Sequence, residues 1–230
     1  MADVTRFING IINFQQQHFG ENAELAHTLL AGQKPQALLI GCCDSRVDPA
    51  LMTDCAPGDL FILRNIANLV PPYLKNDDYH GVSSSIEYAV CILEVSDIIV
   101  LGHSGCGGIA ALMDSADGRE TGEFIGKWVN IAAAARDKVL RKMPQESIEK
   151  KTRACEQEAI LVSLKNLMTF PWVRDRVAQG RLSLHGWYFD IGNGRLKYYN
   201  QVTGEYDVLV DRYAPPDLLT IEKADGEGPN

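Results

Sequence analysis

The chain has 230 residues, of which 46% are hydrophobic and 23% charged, with a formal net charge of −8. That apolar content suffices for one substantial core, while the acidic balance and the lack of long Lys/Arg runs argue against nucleic acid or an anionic membrane surface as partners. No apolar run is long enough to span a membrane, and the opening MADVTRFING lacks the basic-then-apolar layout of a signal peptide, so the expected location is cytoplasmic.

Taken in chain order, residues 4–32 carry helical apolar spacing in Phe7, Ile8, Ile11, Ile12 and Phe14, which predicts a helical arm over about 1–32. ALLIGCC then reads as a short buried strand, DLFILRN as a second, and Pro71 and Pro72 mark a loop. A helix is expected over about 82–93, followed by the strand DIIVLG, which delivers His103 to a glycine-rich turn opening another helix. Helical stretches follow around 124–142 and 148–169, with a shorter one after Pro171. RLSLHGWYFD and RLKYYN then predict two strands joined by a turn near 191–194. A polar tail is expected after about 216. Without an internal repeat or linker, the pattern predicts a single α/β domain over 1–230.

Three soft ligands stand out: Cys42 in GCCDSRVDP, and His103 with Cys106 in GHSGCGG. A Cys2His set can hold zinc and leave the fourth tetrahedral position open, which is the arrangement of a catalytic rather than a structural site. If residues 42–46 are extended, Cys42, Asp44 and Arg46 share one face, and a carboxylate with a guanidinium partner flanks the metal. Each residue also has a plainer reading. A strand-end Cys42 packs a core, Asp44 and Arg46 form a turn and its salt bridge, Gln33 lies on the surface, Phe61 and Tyr88 are core aromatics, and Arg64 with Asn65 braces a loop. Gly102, Gly105, Gly107 and Gly108 read as backbone accommodations for the metal turn and not as a nucleotide fingerprint. Cys43, Cys55, Cys91 and Cys155 are expected to be ordinary buried thiols, in a reducing compartment.

In order along the chain, GCCDSRVDP, PGDLFILRNIANLVPPY, GVSSSIEYAV, VLGHSGCGG and LHGWYFDIGNGRL resemble the β-class carbonic anhydrases. The resemblance implies a mostly parallel central sheet flanked by helices, with N-terminal helices packing on a dimer partner. It implies one zinc per chain on Cys42, His103 and Cys106, with Asp44 and Arg46 as the catalytic dyad. The implied reaction is reversible hydration of carbon dioxide to bicarbonate and a proton, by attack of zinc-bound hydroxide. Because two thiolates cancel the charge of the metal, Asp44 is expected to assist. In one regulated subgroup Asp44 would swing onto zinc and close the site, but the tryptophan of that subgroup is Leu39 here. GQKPQ resembles the plant-like, open-site subgroup, in which Gln33, Phe61 and Tyr88 would line the substrate pocket across a dimer interface, with Gly107 completing it. The implied assembly is a homo-oligomer with the dimer as minimal unit, extending to tetramers or octamers. Competing readings are an interaction protein with purely structural zinc, and a zinc hydrolase of another small heterocumulene such as carbon disulfide.

Overall fold

The computed structural model describes residues 4–19, 24–119 and 121–211. The polar tail expected after residue 216 lies outside them. Among the described residues one sheet holds β1 (Ala37–Cys42), β2 (Leu60–Asn65), β3 (Asp97–His103), β4 (Ser183–Asp190), β5 (Arg195–Asn200) and β6 (Glu205–Val210), in the order β2-β1-β3-β4-β5-β6. The first four in that order are parallel, and β5 and β6 add an antiparallel edge. The run ALLIGC shows no polar alternation because every residue of β1 is buried. From β1 the chain moves outward to β2 and then returns past β1 to β3. The carboxyl ends of β1 and β3 therefore flank the point where the winding reverses, the usual place for a site in an open α/β sheet.

The helices are α1 (Thr5–His18), α2 (Glu24–Leu30), α3 (Pro49–Thr53), α4 (Gly81–Glu87), α5 (Gly107–Asp114), α6 (Ile125–Val129), α7 (Ala133–Lys142), α8 (Ile148–Leu167) and α9 (Pro171–Ala178). On one sheet face Leu38, Ile40, Ile98 and Val100 pack with Ile86, Ile160, Leu167 and Val173. On the other, Leu39, Ile99 and Leu101 pack with Met52, Trp187 and Phe189. A third apolar cluster joins Cys42, Val47 and Cys106 to Ile109 and Leu112 of α5, Ala135 and Val139 of α7, and Cys155 and Ala159 of α8. The future ligands thus sit in packed core at the carboxyl end of the sheet. None of the described helices is long and apolar enough to cross a membrane.

Several expectations are refined. The 82–93 helix begins as α4 but widens into a π turn over Tyr88–Ile92, closed by Leu93 N–H donating to the Tyr88 carbonyl. The segment 124–142 breaks into α6, a tighter turn at Asn130–Ala132, and α7. Two elements lacked a sequence expectation. Short α3 is carried by its ends, with Asp48 accepting from Leu51 N–H and Pro49 supplying a preset first φ, and β6 pairs along the edge of β5. α1 forms as predicted yet buries none of its side chains, so Phe7, Ile8, Ile11 and Phe14 are all left exposed.

Candidate metal centre

β1 ends at Cys42 and β3 ends at His103, and one left-handed residue, Gly105 at φ 71°, turns the chain so that Cys106 faces back toward both. The ligand atoms of Cys42, His103 and Cys106 lie within 4.8 Å of one another, and all three residues are buried. The two sulfurs are 3.9 Å apart. Zn–S bonds of about 2.3 Å at a tetrahedral angle would separate them by about 3.8 Å, so the thiol pair fits zinc. His103 Nδ1 lies 3.0 Å from the Ser104 carbonyl, which fixes the proton on Nδ1 and leaves the Nε2 lone pair free. That Nε2 is buried without a hydrogen-bond partner, in a ring only 1% exposed. An orphaned buried nitrogen facing two thiols is the condition a metal ion would satisfy.

Gly108 is required by packing: a Cβ there would meet Ile66 Cγ2 at 2.6 Å and Ala67 Cβ at 3.0 Å. Its absence lets the start of α5 press against the turn after β2. Ala67 itself holds a left-handed φ of 63°, and its N–H, with that of Asp44, helps stabilise a thiolate at Cys42.

Asp44 and Arg46 come together, though not by strand alternation. The strand stops at Cys42 and residues 44–46 turn, with Arg46 N–H donating to Asp44 Oδ1 at 3.0 Å. The Arg46 guanidinium then closes a two-point clamp, Nε to Oδ1 at 2.9 Å and an Nη to Oδ2 at 2.6 Å. The same Nη donates to the Gly105 carbonyl at 3.0 Å. Asp44 Oδ2 is 3.8 Å from His103 Nε2, beside the ligand cluster but turned to the arginine. Arg64 braces the loop from behind, donating to the carbonyls of Cys42, Asp44 and Val47 and pairing with Asp48. Asn65 bridges the next turn through both its amide atoms to the backbone of Leu69. Their bracing role is the plainer of the two readings.

The charges follow from these contacts. Cys42 is lowered, chiefly because the Cys106 thiol donates to it, against the effect of burial. Cys106 is correspondingly pushed up by that same bond and by burial, so without metal the pair shares one proton. Burial opposes charge on His103, but the Cys42 thiolate, the Ser104 carbonyl and Asp44 together outweigh it and raise the imidazole. A pocket that strengthens proton affinity in this way also attracts a divalent cation. Hydrogen bonds from Arg46 hold Asp44 well below the usual carboxylate range.

A sequence model of the family described as carbonic anhydrase matches residues 37–196, which contain the entire constellation. Beta carbonic anhydrase 3 of Arabidopsis thaliana is 38% identical over 194 residues, 83% of this chain and 74% of that protein. The chain belongs to the carbonic anhydrase family, in its β class. The solved β-carbonic anhydrase CcaA superposes with a TM-score of 0.84 at 36% identity, covering 91% of this chain and 93% of that one. A structure from the pair of tetrameric β-carbonic anhydrases of Sordaria macrospora gives 0.73 at 31% identity, covering 85% and 94%.

Within this β-carbonic anhydrase chain the expected substrate residues do not gather at the ligands. Phe61 and Tyr88 stack on each other with centroids 5.8 Å apart. Phe61 is paired with Leu38, however, whereas Cys42 pairs with Asn65. Four strand residues, about 13 Å, separate the two levels. Gln33 is exposed in the segment before β1, and Tyr88 is 44% exposed. Gly107 alone adjoins the ligands, at the first residue of α5, where a Cβ would meet only open space.

The thiol expectation needs correcting as well. Cys155 is buried, but Cys43 and Cys91 are exposed and Cys55 is half-buried, because each stands at an element end or on an outer helix face. Sequence reading missed Glu156, a carboxylate 3% exposed on the inner face of α8, which accepts the backbone N–H groups of Gly105 at 2.7 Å and Cys106 at 3.1 Å. The available signal was its spacing with Ala159, Ile160 and Ser163, which puts a charged residue on an otherwise core-facing stripe.

Proposed function

We propose that Cys42, His103 and Cys106 would hold one zinc ion, and that the chain catalyses reversible hydration of carbon dioxide, the known reaction of this family, beside these residues and Asp44. The observation that carries this reading is the buried, unpartnered Nε2 of His103 facing two thiols, while Asp44 beside it stays bound to Arg46. Bound zinc acts as a Lewis acid that makes water a far stronger acid near neutral pH, for which carbonic anhydrase is the standard worked example.

Asp44 Oδ2 keeps a lone pair after its bond to Arg46 and accepts a hydrogen bond from the attacking water, turning an oxygen lone pair toward carbon dioxide. Arg46 keeps Asp44 ionised and aimed. Asp44, held low by that clamp, is a poor store for the released proton, which passes on to solvent or buffer. A closed, purely structural centre would require Asp44 to leave Arg46, so the observed clamp supports the open-site subgroup, as does Leu39 in place of the regulatory tryptophan.

Gln33 donates its amide to a bicarbonate oxygen, Phe61 and Tyr88 provide a dry berth for carbon dioxide, and Gly107 leaves the mouth of the site free of a side chain. Since Phe61 and Tyr88 lie far from the ligands of their own chain, the pocket of one copy is completed by Gln33, Phe61 and Tyr88 of a second. The uncovered apolar face of α1 supports the same dimer, and the tetrameric Sordaria relatives fit larger assemblies made from it. We read the chain as one catalytic domain over 1–230, working in the cytoplasm, where its free thiols suit a reducing medium.

Stopped-flow hydration of carbon dioxide by zinc-quantified protein tests the function. Wild type is expected to be active with one zinc per chain, and Cys106→Ser to lose zinc and activity together. A zinc-loaded but inactive wild type would leave only a structural role.

A further inference from the structure

We propose that Glu156 is a positioning residue that clamps the Gly105–Cys106 peptide, and through it sets both the Cys106 ligand and the Asp44–Arg46 pair. The inference rests on the metal-site reading above.

The amides at the start of α5 need an acceptor, as at any helix N-terminus. Ordinarily the N-cap side chain supplies one, but the N-cap here is Cys106, whose sulfur is committed to the ligand cluster. Glu156 does not take over that role, which concerns the Gly108 and Ile109 amides; from α8, fifty residues away in sequence, it accepts the two amides just before them, those of Gly105 and Cys106. Its Oε1 accepts from Gly105 and Cys106, while Oε2 accepts from the Tyr188 hydroxyl at 2.6 Å and lies 3.7 Å from an Arg153 Nη. Two amides, one hydroxyl and a nearby guanidinium are the compensation a carboxylate needs to stay buried.

A simple acceptor would end there. The Gly105–Cys106 peptide, however, is held at both of its polar atoms. Its N–H points to Glu156, and its carbonyl accepts from the Arg46 Nη that also grips Asp44 Oδ2. Rotation of this one peptide plane would therefore move the Cys106 sulfur and withdraw the anchor of Arg46 together. Gly105 makes such rotation easy, because it lacks a Cβ and already occupies the left-handed region. Glu156 removes that freedom. It touches neither substrate nor ligand atoms, so its influence on turnover passes through the peptide.

The test compares Glu156→Ala and Glu156→Gln in the zinc enzyme and in its cobalt-substituted form. The readouts are chelator competition for the metal, the cobalt visible spectrum, and kcat and KM for hydration. Glu156→Ala is expected to weaken metal affinity about 10- to 100-fold, in the range for residues that orient metal ligands. It should also shift the cobalt spectrum and lower kcat more than it raises KM. Glu156→Gln keeps an oxygen for the two amides and is expected to recover most of that loss. Wild-type affinity and spectrum in Glu156→Ala, or a Gln variant as impaired as Ala, would overturn the assignment. Should Glu156→Ala fail to fold, Tyr188→Phe, which removes one bond to Oε2, takes its place: a shifted cobalt spectrum supports the clamp and an unchanged one overturns it. Wild type that binds neither metal would instead overturn the functional reading, whereas tight wild-type binding indifferent to Glu156 removes only this inference.

Discussion

The two ends of the parallel sheet are built to different standards. At the carboxyl end of β1 and β3 every ligand is buried, and the turn that carries Asp44 and Arg46 is tied down by Arg64 and by the Gly105 carbonyl. Toward the opposite end, Phe61 and Tyr88 stack on each other with Tyr88 half open to solvent, and α1 leaves its apolar stripe exposed. The metal half is complete within one chain. In the arrangement proposed above a second copy completes the substrate half, so loss of the partner should spare the ion and harm the turnover.

The sharpest way to probe the self-contained half is Asp44→Asn. It removes the carboxylate charge but keeps the shape, and it should retain one zinc per chain while hydration falls about 10²- to 10⁴-fold, the usual worth of a positioned proton acceptor. Turnover within a few-fold of wild type would show that Asp44 only shapes its turn. The shared half is broken by Phe7→Glu combined with Ile11→Glu, which places charge on the exposed stripe of α1. Light scattering should then show dissociation toward monomer, with activity reduced by up to about 10²-fold through loss of the supporting shell and zinc content unchanged. A fully active monomer would refute the shared pocket.

A further test of the metal half concerns protons. Without metal, Cys42 is lowered by the bond from Cys106 and carries the charge of the pair, whereas Cys106 is raised and keeps the shared proton, and the upward shift of His103 strengthens its competition for another. Zinc must displace those protons, so its apparent affinity should increase with pH between 6 and 8, by up to about tenfold per unit for each proton expelled. Calorimetry in buffers of different ionisation enthalpy reads the number released. A pH-independent affinity would mean that the ligands are already deprotonated in the free protein.

Much of this was legible from residues alone, and the parts that were not share a cause. β1, β2 and β3 announce themselves as apolar runs, and the ligands stand at strand ends within motifs that resemble a known family. Asp44 and Arg46 were correctly paired, but alternation along a strand was the wrong route, since an Asx-type turn after Cys42 is what joins them. α3 is too short to show a period and is carried by its cap. The stripe of Ala159, Ile160 and Ser163 marks Glu156 as core-facing, unlike Glu158 and Lys165, but its role could not be assigned because its partners are amides fifty residues away. Local pattern reports which face is apolar. It does not report which buried charge has found partners.

Diffraction from crystals of the zinc enzyme, recorded on either side of the zinc absorption edge at the pH of activity, tests the central claim most directly. One anomalous peak per chain is predicted, bounded by the sulfurs of Cys42 and Cys106 and by His103 Nε2, with solvent at the fourth position and Asp44 still clamped by Arg46. An Asp44 oxygen on the metal in that state, or no peak between the three residues, would contradict it.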